Sequence, residues 1–267
     1  MRARIIGALL AVYGRAAASG LLDRPLARRA FESAYLGYKR LIEAGHVNQL
    51  RSVIEPGSTV IDVGANIGFF ALKFGRWVGP GGRVIAIEPE GRNIATLRRR
   101  VRRARLETVI ECVEAAAADR PGEVKLAVNP AHPGDHRLAN EGALVRAVTI
   151  DELTSGDSRN VALVKIDVQG AEMLVLAGAR RVIETHHPAI FVEVDDSALE
   201  QFGSSGNELI ENLGAQGYTG HVLTGRGIEA ATAPTLTTKS IDGYIDVLFL
   251  PEATRPSVNG EGRRAVR

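Results

Sequence analysis

The chain has 267 residues, of which 45% are hydrophobic and 24% charged, and its net charge is +2. Such a composition suits one sizeable α/β domain whose core needs no disulfide or structural zinc. The lone cysteine, Cys112, excludes an intrachain bridge, and the small net charge argues neither for nor against an acidic partner.

The first twenty residues combine basic positions, an apolar run over 5–13 and small residues, a pattern that resembles a secretory leader. The run is too short to span a bilayer, and Arg15 interrupts it before the small residues. An amphipathic helix resting on the domain or on a membrane surface is the expectation. With one cysteine in an apolar stretch, a reducing, cytoplasmic location is expected. Residues 24–54 read as helical, with Phe31, Tyr35, Tyr38, Leu41 and Ile42 at helical spacing. Residues 1–50 are therefore expected to form a helical extension, 51–250 the domain proper and 251–267 a disordered tail.

After the turn "EPGST", strands are predicted over 60–63, 83–87, 109–113, 124–128, 144–149, 161–167, 189–194, 218–223 and 244–250. Helices are predicted over 67–78, 91–105, 171–184 and 207–216, with a polar Gly/Pro-rich loop at "NPAHPGDHRLANEG". Strands alternating with helices imply a mostly parallel sheet with helices on both faces. The closing strands lack a clear helix between them, which implies an antiparallel edge pair. That pair distinguishes a Rossmann-like class I methyltransferase sheet from a dinucleotide-binding one.

In such sheets the ligand lies beyond the carboxyl ends of the strands, where strand order reverses. The stretch "VIDVGANIGFF" brings strand, glycine turn and helix together there. Gly64 and Gly68 allow a tight turn and close approach to a ligand. Glu88 ends the next strand, twenty residues after Gly68, where a carboxylate accepts hydrogen bonds from a ribose diol. Asp62 sits just before the first glycine and would repel the phosphates of NAD. S-adenosylmethionine carries no phosphate but has a sulfonium and an ammonium, so it is the expected cofactor. A turn or capping role for Asp62, and a solvated strand-end charge for Glu88, remain the plain alternatives.

The blocks "VIDVGANIGFFAL", "VIAIEPE", "VTIDEL", "LVKIDVQGAEMLVLAGA" and "PAIFVEV" together resemble the FkbM-type methyltransferases over about 50–250. The resemblance implies a class I fold, S-adenosylmethionine as donor and O-methylation of a hydroxyl on a small molecule, polyketide, sugar or glycolipid. It also implies that Asp62, Gly64, Asn66, Gly68 and Glu88 contact the cofactor, with Glu114 or Ala115 near the adenine edge. The chain departs from the family at Gln169, where Glu is usual, which weakens any cation-binding role there.

Methyl transfer to an alcohol needs alignment, exclusion of water and a group that takes the hydroxyl proton. Asp167 ends the strand expected beside that of Asp62 and is the first candidate for that base. Lys165 lies two residues earlier on the same face and needs an anionic partner, which Asp62, Asp167 or Glu193 would supply. A structural ion pair in which Asp167 only holds Lys165 is therefore the competing reading. Glu172 opens a helix, as a favourable first-turn acid or, alternatively, a catalytic group, and Glu193 ends the next strand, suited to substrate or a cation. The spacing of Asp167, Glu193 and Asp195 does not require a metal, and none is expected. His132 and His136 lie in a loop whose Pro133 and Gly134 prevent helical pairing; His136 is kept as an alternative base. The arginines at 92, 98, 99, 100, 102, 103 and 105 form a positive helix, a solvated face by default and otherwise a contact for an acidic partner or membrane. RNA methylation rests on that helix alone, an NAD-dependent oxidoreductase is opposed by Asp62, and a non-catalytic module on the same fold stays open.

Overall fold

In the computed structural model the described residues are 19, 47–128, 137–225, 227–231 and 244–252. The helical extension before residue 47, the tail from 253 onward and the loop carrying His132 and His136 lie outside them. Of the helix expected over 24–54, the described part is a short 3-10 turn, Asn48–Val53.

The strands are β1 (Thr59–Val63), β2 (Arg83–Ile87), β3 (Ile110–Val113), β4 (Ala116–Ala117), β5 (Gly122–Ala127), β6 (Arg137–Leu138), β7 (Ala143–Val148), β8 (Val161–Ile166), β9 (Ala189–Val194), β10 (Tyr218–Thr224), β11 (Gly227–Ala230) and β12 (Ile245–Pro251). The helices are α1 (Phe69–Val78), α2 (Gly91–Ala104), α3 (Ile150–Leu153), α4 (Glu172–Ala177), α5 (Arg180–His186), α6 (Asp196–Glu200) and α7 (Gly206–Ala215).

Eight strands form the main sheet in the order β11-β10-β12-β9-β8-β1-β2-β3. β1, β2, β3, β8 and β9 run parallel, and β12 joins β9 antiparallel. The antiparallel edge contains β10, β11 and β12, one strand more than the expected pair. The central strands are apolar on both faces: every residue of β1 and of β8 is buried. Alternate side chains serve two cores. Ile61, Val63, Val164 and Ile166 face one, and Val60 and Leu163 face the other, under α1. This is the doubly covered parallel architecture of a Rossmann-like class I methyltransferase.

Two expectations change. The segments around β5 and β7 are not members of the main sheet; with β4 and β6 they form a second sheet, ordered β4-β7-β5-β6. Their outward positions stay exposed, so they lack the two-sided burial of the main strands. The single helix expected over 171–184 is two helices. Asp151, in α3, accepts hydrogen bonds from the backbone N–H groups of Arg181 and Val182 at 2.9 and 3.0 Å, which starts α5 afresh.

Candidate functional site

Strand order reverses between β1 and β8, and the residues leaving their carboxyl ends meet there. After β1 the chain turns through Gly64, whose φ is 71°. A Cβ on Gly64 would lie 1.9 Å from the carbonyl oxygen of Asp167, so the glycine serves the contact between the two strand ends. Gly68 is equally crowded: its Cβ would fall 2.3 Å from the Leu97 side chain of α2. Both glycines thus meet protein atoms at the point where a side chain would begin. Asn66 has φ 49°, and its Oδ1 accepts from the N–H of Ile67 at 2.7 Å. Arg100 of α2 donates to the carbonyl of Ile67 and ties the turn to that helix.

Glu88 stands at the end of β2, 4% exposed. Its Oε2 accepts from the N–H of Asn66 at 2.8 Å, and its Oε1 accepts from the N–H of Glu90 at 3.0 Å. Asn93 Nδ2 adds a longer donor at 3.4 Å. Burial dominates these donors and pushes the Glu88 carboxyl up to about 7. Each carboxylate oxygen accepts about two hydrogen bonds, so Oε2 retains capacity for a ligand hydroxyl, and Oε1 does where the long Asn93 contact gives way. Glu114, beyond β3, is exposed and pairs with Arg98 at 2.8 Å, while Ala115 is buried at 1% exposure.

Asp62 does not lie open at the mouth of the loop. It is 0% exposed, on the sheet face beneath α1, opposite Lys165 in the β1–β8 register. Lys165 Nζ stands 3.3 Å from Asp62 Oδ1 and 3.3 Å from Asp167 Oδ2. It also donates to the carbonyls of Val63 at 3.2 Å and Gly64 at 3.1 Å, and lies 5.1 Å from the centre of the Phe70 ring. Burial raises the Asp62 carboxyl, and the Lys165 charge opposes that rise. Repulsion of phosphates by Asp62 is therefore not what selects the cofactor, because its charge is spent on Lys165. Asp167 differs: its side chain is 26% exposed and reaches the crevice while held by the same lysine. Lys165, at 2% exposure, holds these groups rather than meeting substrate.

Beyond Asp167, Gln169 Nε2 donates to Glu193 Oε1 at 2.9 Å. The departure at Gln169 thus has a structural counterpart, a neutral donor against Glu193 where a second carboxylate would need a cation. Asp246 of β12 is the register partner of Glu193. Among the described residues no group of three His, Cys, Asp or Glu side chains is arranged to hold a metal. No helix among them is long and apolar enough to cross a membrane. Glu193 is expected at the site from the sequence, whereas Asn93, Glu90 and the pairing of Glu193 with Gln169 emerge only from the structure. Asn93 and Glu90 carried a signal in their position at the start of α2, directly after the Glu88 strand.

The donor set fits S-adenosylmethionine. Glu88 offers buried carboxylate oxygens to a ribose diol, and Asp167 offers a half-exposed carboxylate to a cation or a hydroxyl.

No curated protein matches the chain. Among solved structures it is similar to the methyltransferase FkbM from Methylobacillus flagellatus KT, with 22% identity, a TM-score of 0.48, and coverage of 73% of this chain but 44% of that one. The chain thus spans less than half the length of that protein. It is also similar to an O-methyltransferase from Bacillus cereus in complex with SAH, with 12% identity, a TM-score of 0.44 and coverage of 79% and 81%. The O-methyltransferase TomG from Streptomyces achromogenes, in complex with SAM, shows 11% identity, a TM-score of 0.44 and coverage of 79% and 80%. The Methyltransferase FkbM domain matches residues 62–219, more than half of the chain, from Asp62 through the "KIDVQGAE" block to β10. The chain belongs to the FkbM family of methyltransferases, and its cofactor is S-adenosylmethionine.

Proposed function

We propose that this methyltransferase methylates a hydroxyl oxygen of a small-molecule or glycosidic acceptor, working in the cytoplasm. The observation that carries this reading is Asp167, a partly exposed carboxylate fixed at the strand ends by Lys165. Bound S-adenosylmethionine supplies a methyl group already activated on a sulfonium. Glu88 holds the ribose diol, and the Asn66 and Glu90 amides hold Glu88. Asp167 accepts the acceptor's hydroxyl proton as the oxygen attacks, and Lys165 orients Asp167. Gln169 and Glu193 border the acceptor side and offer a fixed amide and carboxylate to neighbouring hydroxyls.

The test is product identity. The protein is incubated with S-adenosylmethionine carrying a ¹³C methyl group and a panel of hydroxylated acceptors. A methyl ether resonance in the product supports the reading; label found only on nitrogen or carbon overturns it.

A further inference from the structure

The turn after β8 contains a buried acid that the chemistry above leaves unused. Gln169 and Gly170 have φ of 55° and 103°, both left-handed. A side-chain-bearing residue in that region is strained and persists only where its surroundings fix it. On one side the turn is fixed by α6: a Cβ on Gly170 would lie 2.3 Å from the carbonyl oxygen of Ala198 and 2.9 Å from the Phe202 ring. On the other side stands Glu172, 2% exposed, whose Oε1 accepts from the Gly170 N–H at 3.0 Å. Its Oε2 is buried with no hydrogen-bond partner among the described residues.

The conformation so fixed has two consequences at the crevice. It directs the Gln169 amide onto Glu193, and it follows directly on Asp167, which Lys165 holds from the other side. We propose that Glu172 is a positioning residue for methyl transfer: through the Gly170 N–H its carboxylate holds the 169–170 turn in the form that sets Gln169 against Glu193 beside Asp167. The proposal rests on the reading of the Asp167 crevice as the site of methyl transfer to oxygen.

A carboxylate holds an amide about twice as strongly as a neutral acceptor does. The hold on Gly170 therefore depends on the Glu172 proton. Burial first, and the charge of Asp167 as well, push that carboxyl up to about 7, against the favourable Gly170 amide. Asp167, at the end of β8, is the charged side chain that acts on it, with Lys165 behind. From α6 the turn meets the Ala198 carbonyl and the Phe202 ring, neither of which titrates. Asp195 is occupied with the N–H groups of Ser197 and Ala198, and Asp196 with that of Gly206. The clasp is complete above neutral pH and slackens as pH falls.

The test combines amide spectroscopy with kinetics on the full chain. In the wild type the Gly170 amide proton should move downfield as pH rises through neutrality, and in Glu172→Gln it should stay flat. The variant should bind S-adenosylhomocysteine as the wild type does, yet show kcat/KM for the acceptor, at S-adenosylmethionine saturating at each pH, reduced roughly 10–100-fold and falling less on acidification than that of the wild type. A Gly170 amide insensitive to pH in the wild type, or one that still titrates in the variant, overturns the clasp. Unchanged acceptor kinetics in the variant overturn its role in positioning. A wild type that methylates no hydroxyl removes the acceptor reading, and the positioning role with it, even where Gly170 titrates.

Discussion

Lys165 is a single cation shared by two carboxylates and two carbonyls, almost wholly removed from water. Lys165→Met would leave Asp62 buried without its counter-charge. Loss of about 3–5 kcal/mol in unfolding free energy is expected from chemical denaturation. The double variant Asp62→Asn/Lys165→Met removes both charges and should recover part of that loss; an additive result would mean that the pair does not interact. A lysine inside an apolar strand announces an ion pair in the sequence alone. Which acid it meets depends on the β1–β8 register, so the sequence leaves Asp62, Asp167 and Glu193 open as partners, and the structure pairs it with Asp62 and Asp167. The place of Glu88 was legible because it follows a strand at a known distance beyond the glycine turn. In the proposed role its carboxylate is charged so as to accept from a diol, and burial, which pushes it up to about 7, sets where that capacity would fail. Affinity for S-adenosylhomocysteine should therefore weaken as pH is lowered from 8 to 6. Glu88→Ala should weaken it at pH 8 by about 1.5–3 kcal/mol and flatten its pH dependence, as read by calorimetry.

Among elements, β1, β2, β8 and β9 were legible because burial on both faces leaves a continuous apolar run between turns. The second sheet was not. β5 and β7 read "GEVKLA" and "ALVRAV", half-polar strands that suit any sheet with an open face, and their mutual pairing is a long-range choice. The break between α4 and α5 was hidden for a related reason. The group that caps α5 is Asp151, about thirty residues earlier in the chain. Asp151→Ala should destabilise the domain by about 0.5–2 kcal/mol without affecting cofactor affinity, a separation that thermal melts with and without S-adenosylhomocysteine would show. Gly64→Ala is expected to be far more damaging. It places a methyl group 1.9 Å from the Asp167 carbonyl at a φ of 71°, so both stability and cofactor binding should suffer.

For the whole molecule, the buried acids make stability depend on pH in an unusual direction. Glu88 and Glu172 have folded pKa values near 7 against an ordinary 4.5, so their contribution is complete below about 4.5 and is lost as pH rises through 7. Asp157 works oppositely. Arg83, Arg159 and Thr59 hold it down to about 2, so its contribution is present above 3.8 and lost as pH falls toward 2. The ligand-free protein should thus be more stable at about pH 5.5 than at pH 8 in urea denaturation, and the difference should shrink in Glu172→Gln. The fold that creates these environments also joins Glu88, Asp167 and the Gln169–Glu193 pair along one carboxyl edge, where oxygen methylation is proposed to occur. Turnover of Asp167→Asn with a hydroxyl acceptor at saturating S-adenosylmethionine tests that proposal most directly. Lys165 keeps Asp62 as partner in that variant, so the fold and cofactor affinity should hold while turnover falls roughly 10²–10⁴-fold. Near-normal turnover by a folded, cofactor-binding Asp167→Asn would exclude Asp167 as the base.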